Sequence, residues 1–165
     1  MLRFRRRSPM AAIALAATLA PLAAFASNVP ADPCSLLPAA EVSKVVGRAF
    51  AEPSRRVAPR PYRNTAQGTD CLYQTKGGRA SVLFRVYFDA SPSESAELFK
   101  RLQMFFGSGT PVPGVGDEAY FDSQHALHER KGNVRFYLSV DGTGAAPPAR
   151  EKMLANLARG IGGRL

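Results

Sequence analysis

Arg3, Arg5, Arg6 and Arg7 precede an apolar run from Met10 to Ala20, which Pro21 interrupts before Ala24-Phe25-Ala26. A positive segment, an apolar segment and a small-residue cleavage motif in that order make residues 1–26 a cleavable export signal. This constrains the remainder more than any other feature. Cleavage is expected to leave a chain that starts near Ser27, and its 139 residues are expected to fold outside the cytoplasm, where thiols oxidise. A retained membrane anchor is the alternative, but the run is shorter than the roughly 20 residues that a span requires. Cys34 follows Asp32-Pro33 rather than small apolar residues, which argues against a lipidated cysteine. The Arg5-Arg6 pair lacks the pattern that would accompany twin-arginine export. The expected location is periplasmic or secreted.

A chain of this length makes one domain, residues 27–165, that buries roughly two-thirds of the surface its unfolded form exposes. Four of the 22 basic residues and none of the 13 acidic ones lie in the leader, so the formal charge falls from +9 to +5 on its removal. That mild positive balance makes no case for nucleic acid. No later apolar segment approaches membrane-spanning length, and a monomer is expected. Cys34 and Cys71, the only cysteines, read as one structural disulfide, since an exported chain oxidises them and they lack redox-type C-x-x-C spacing.

Hydrophobic periodicity predicts a first helix over Ser35–Arg48, with Leu36, Ala39, Val42, Val46 and Phe50 defining one apolar face and Pro38 in its first turn. Residues 51–69, rich in proline and arginine, hold at most a short edge strand. A strand over Asp70–Thr75, a turn at Gly77-Gly78 and a strand over Arg79–Asp89 form a hairpin. Ser91, Pro92 and Glu94 start a second helix, whose expected buried stripe is Leu98, Phe99, Leu102, Phe105 and Phe106. Gly107 ends it, and a Gly/Pro-rich loop over Ser108–Gly116 follows. Strands are expected over Glu118–Ser123, His125–Arg130 and Val134–Asp141, then a helix after Pro147-Pro148 with Met153, Leu154, Leu157 and Ile161 on its apolar side. Hairpin-linked strands among amphipathic helices give an α+β class: an antiparallel sheet of about five to six strands covered by three helices, with one disulfide.

Several segments carry a resemblance. They are Cys34-Ser35-Leu36-Leu37, Ala40-Glu41-Val42 with Gly47, Cys71-Leu72-Tyr73, Gly114 to Tyr120, and the Arg130-Lys131-Gly132-Asn133 turn into Val134-Arg135-Phe136. Together they resemble a group of bacterial secreted proteins and lipoproteins of unknown function, over most of the exported chain. Members of that group usually place threonine where this chain has Pro38, and that threonine would cap the first helix opposite Glu41. The resemblance implies a disulfide-stabilised α+β domain similar to the PsbP-like extrinsic-subunit fold. It implies no activity.

No catalytic residue, metal ligand or cofactor is expected. His125 and His128 stand three apart in a segment read as a hairpin, where that spacing sends them to opposite faces, and zinc needs at least a third ligand. They are expected to be exposed strand residues. Gly107-Ser108-Gly109 lacks the outer glycines of a nucleophile elbow. Gly114-Val115-Gly116-Asp117 leads into a strand rather than a helix and reads as a tight turn, not a phosphate cradle. The candidate binding residues are Arg55, Arg56, Arg60 and Arg63 with Tyr62, in a segment expected to be irregular. Arginine pairs bidentately with carboxylate and phosphate, so the expected partner is an envelope component or an acidic protein surface. The leading expectation is a non-catalytic binding module. The alternatives are a carrier holding an apolar ligand between helix and sheet at Phe99, Phe105 and Phe106, or a hydrolase.

Overall fold

The computed structural model describes residues 29–61, 65–107 and 109–165. The expected leader, Tyr62, Arg63 and Ser108 lie outside the described residues. A 3₁₀ turn, Pro33–Leu36, precedes α1 (Ala39–Val46), β1 (Ser54–Ala58), β2 (Gly68–Gln74), β3 (Ser81–Phe88) and α2 (Pro92–Phe106). Then come β4 (Thr110–Pro111), β5 (Glu118–Phe121), β6 (Leu127–Lys131), β7 (Val134–Asp141) and α3 (Pro147–Gly162). The seven strands form one antiparallel sheet in the order β1-β2-β3-β7-β6-β5-β4. This is the α+β class expected, with one or two strands more: β1 and β4 are short edges in stretches where prolines weaken the strand pattern.

The first helix differs from its expected span. Leu37, just before Pro38, takes φ −132° and ψ 86°, so Ser35–Arg48 splits into the 3₁₀ turn and α1. The cause is steric, because a proline ring disfavours helical backbone at the preceding residue. Pro38 becomes the N-cap with no side-chain bond, and its carbonyl accepts from the backbone N–H groups of Glu41 and Val42. Ser91 caps α2 as expected, accepting from the Glu94 N–H at 3.1 Å. The Glu94 carboxylate reaches one residue further back than a capping box requires, to the Ala90 N–H at 3.0 Å.

Alternation on the strands divides the interior into two layers. Val82, Phe84 and Val86 of β3 and Phe136, Leu138 and Val140 of β7 lie on one face with Leu127 of β6. Val42 and Val46 of α1 and Leu154, Leu157 and Ile161 of α3 pack there, and all are buried. The opposite face carries Tyr120, His128 and Tyr137, and α2 covers it over β6 and β7 with Leu98 and Phe99 buried. Phe99 meets Tyr120 edge-on at 5.4 Å. The stripe expected on α2 stops there. Leu102 is half-buried, while Phe105 is 78% and Phe106 43% exposed, although the Phe106 ring still lies 5.3 Å from that of His128.

The Cys34–Cys71 disulfide, with Cα atoms 5.6 Å apart, ties the 3₁₀ turn to β2. The fully buried Tyr73 reinforces the join by donating its hydroxyl to the Leu37 carbonyl. Cys34→Ser removes the constraint on a separation of 37 residues and is expected to cost about 2–4 kcal/mol. Denaturant unfolding measures this, and an unchanged midpoint would show the bridge to be dispensable.

Glu129 of β6 faces the main core, is 0% exposed, and has no hydrogen-bond partner for either carboxyl oxygen among the described residues. It is wedged beneath Gly116, where a Cβ would lie 2.7 Å from its Oε1. Burial pushes its pKa up to about 8, with Lys131 opposing and Asp117 adding to the rise. The folded value exceeds the unfolded 4.5, so the native state holds an extra proton between these values and stability falls as pH rises through that window. Glu129→Gln is expected to flatten the decline and raise stability at pH 8, by at most on the order of 4 kcal/mol. Urea midpoints across that range decide it, and a parent protein of constant stability would contradict it.

Candidate functional site

The expected arginine segment is more ordered than a loop. Arg55 and Arg56 lie on β1, the outer strand, and alternation sends them to opposite faces. Arg55 pairs across from Cys71 and meets Asp32 at 3.9 Å, an exposed ion pair that contributes little. Arg56 lies across from Asp70, whose carboxylate is already gripped by Arg85 at 2.6 and 2.8 Å. Arg60 follows the strand and donates from Nε to Gln67 Oε1 at 3.0 Å, while the Gln67 amide donates to the Ala58 carbonyl at 2.6 Å. Ser54 to Val57 are all exposed, Val57 at 75%. A recess of ≈ 500 Å³ opens along Arg55, Arg56, Val57 and Thr69. The outer edge of β1, whose other edge pairs with β2, thus offers the guanidinium groups of Arg55 and Arg56 on opposite faces, with Arg60 held by Gln67.

A second constellation lies at the far side of the sheet, where the sequence offered only two histidines. Asp122 organises the β5–β6 turn. Its Oδ1 accepts from the Gln124 and Ala126 N–H groups at 2.9 and 3.0 Å, and its Oδ2 meets His128 Nε2 at 2.9 Å. His128 was expected to be exposed, yet it is buried. Its ring stacks on Tyr120 at 4.8 Å and meets Tyr137 at 5.1 Å and Phe106 at 5.3 Å. Burial pulls its pKa down against the opposing Asp122. His125 lies in the turn rather than a strand and adopts φ 60°, the only positive φ among described residues other than glycine. Its Nδ1 meets Glu151 Oε1 at 2.8 Å. The legible signal was Asp122 itself, an aspartate opening a short turn, where its side chain caps the following N–H groups.

An open cavity of ≈ 480 Å³ separates this turn from the end of α2, with Phe106, Thr110 and Phe121 along it and His125 and Glu151 at its polar side. Met104 and Phe105 stand at the tip of α2, 77% and 78% exposed. Each imidazole is taken by a carboxylate, and among the described residues no hydroxyl bonds to either. The arrangement orders a turn and shapes a mixed apolar and polar surface.

No family model matches the chain, and no curated protein matches it. Among solved structures it is similar to the extracellular domain of PknH from Mycobacterium tuberculosis, with a TM-score of 0.54 at 9% identity. The match covers 78% of this chain and 94% of that one. At this identity the likeness is one of fold.

Asp122→Ala strips the turn of its acceptors and leaves a buried imidazole unpaired, so it is expected to cost about 2–4 kcal/mol. Phe105→Ser, at an exposed tip, is expected to stay within about 0.5 kcal/mol of the parent. Thermal unfolding compares the two, and equal losses would contradict the assignment of Asp122 as the organiser of the turn.

Proposed function

We propose that this chain is an exported, non-catalytic binding module that recognises an anionic envelope component or acidic protein surface along β1. The observation that carries this is the exposed edge: four consecutive exposed residues with Arg55 and Arg56 among them and no acid within the strand. A sheet edge offers backbone donors and acceptors, and arginine adds charge-assisted pairing with carboxylate or phosphate. Export is supported by the disulfide, whose formation belongs to oxidising compartments. Among the described residues no helix is long and apolar enough to cross a membrane.

A carrier of apolar ligands draws support from Phe106 along the ≈ 480 Å³ cavity. Against it, Phe99 fills the space between helix and sheet by packing on Tyr120, and Phe105 lies outside that layer. The edge is the better-supported surface.

Replacing Arg55, Arg56, Arg60 and Arg63 together by alanine is expected to abolish association with vesicles of anionic lipid and with polyglutamate while the fold is kept. Binding by the parent is expected to weaken as salt rises, since the Debye length is about 10 Å at 0.1 M. Vesicle co-sedimentation and fluorescence anisotropy measure both arms. A quadruple variant that binds like the parent, or parent binding indifferent to salt, would overturn the reading.

A further inference from the structure

The end of β7, the β5–β6 turn and the first turn of α3 border a partly open polar cavity of ≈ 220 Å³. Ser123, His125, Tyr137, Ser139, Asp141 and Arg150 are among the residues around it. This is smaller than the roughly 300 Å³ at which sites for drug-sized molecules begin, so any occupant is small.

Arg150 is the informative residue. Its Nε is buried without a hydrogen-bond partner, and its guanidinium has no ion-pair partner among the described residues. The carboxylate of its neighbour in sequence, Glu151, is occupied in accepting from His125 Nδ1. A buried donor on a cation is costly when unsatisfied, so a native one calls for an acceptor. The planar guanidinium fork matches a carboxylate. Ser123, Ser139 and Tyr137 bring hydroxyl groups that both donate and accept. Asp141 adds an acceptor, and its charge opposes a dianion while welcoming a ligand hydroxyl. His125 borders the same space with a positive φ of 60°, the kind of backbone strain that collects at ligand sites.

We propose that this cavity binds a small hydroxycarboxylate, its carboxylate on Arg150 and its hydroxyls toward Ser139 and Asp141. The site is independent of the arginines on β1 and stands whether or not that edge binds a partner.

The test is titration of the disulfide-bonded protein with glycerate, followed by ¹H–¹⁵N NMR. Glycerol, propionate and inorganic phosphate serve as comparisons. Glycerate is expected to shift the Arg150 Nε–H and the backbone amides of His125 and Ser139 saturably, with Kd on the order of 1 mM for so small a ligand. Propionate should bind more weakly, and glycerol not at all. Arg150→Gln should weaken glycerate by at least about tenfold, and Arg55→Gln should leave it unchanged. Should Arg150→Gln fail to fold, Ser139→Ala gives a second route, since it should weaken glycerate but not propionate. The proposal is overturned if glycerate leaves those resonances unmoved, if its shifts survive both site variants, or if phosphate or glycerol binds as tightly as glycerate.

Discussion

The pairing of β3 with β7 is the constraint on which the rest depends. Eight residues of each strand pair, from Ser81 with Asp141 to Phe88 with Val134. A register shift by one residue would turn Val82, Phe84 and Val86 away from the core and expose their partners Val140, Leu138 and Phe136. The T-shaped contact of Phe84 with Phe136 at 5.6 Å sits at the middle of this ladder. The two strands lie far apart in sequence, and the chain between them must leave the centre over α2, reach the far edge at β4 and return through β5 and β6. The position of the β5–β6 turn, and hence of His125 and Asp122, follows from that path.

The second face of the sheet is held by polar groups as much as by apolar ones. Arg135 grips Asp89 at 2.6 and 2.9 Å with both side chains buried, and its guanidinium lies 5.1 Å from the Tyr87 ring centre. Such a pair adds little net stability, yet breaking it would strand a buried charge. One transverse row runs Arg56, Asp70, Arg85, Tyr137, His128 and Tyr120 across six strands. α2 covers the end with Tyr137, His128 and Tyr120, whereas Asp70 and Arg85 at the other end are only half-buried and Arg56 is exposed. That half-covered face explains why Asp70 and Arg85 persist in β2 and β3, whose other side carries Cys71, Tyr73, Val82, Phe84 and Val86.

Partial legibility of the candidate sites has the same origin. Arg55, Arg56 and Arg60 were visible as a basic stretch, but chain order alone could not show that a strand would splay the first two and that Gln67 would engage the third. His128 read as exposed because a lone strand has no information about which face α2 will cover. Arg150 carried no signal at all: within α3 it is an ordinary helix former, and only the approach of β7 and the turn at Ser123 makes it the unpaired cation of a cavity.

By itself, the sequence determined the local events. The Ser91 cap and Pro92 start of α2, the alternation on β3 and β7, the apolar side of α3 and the oxidised cysteine pair each depend on residues within a few positions or on compartment. Pro38 showed the limit even there, since its steric effect on Leu37 outweighed a helical pattern running through it. Contacts between distant segments settled that Phe105 would stay exposed, that Glu129 would be sealed under Gly116, and that His128 would be buried between Tyr120 and Phe106. The physical reason is that burial belongs to pairs of surfaces. A side chain's periodicity states which way it points, and whether anything meets it depends on where distant segments come to rest.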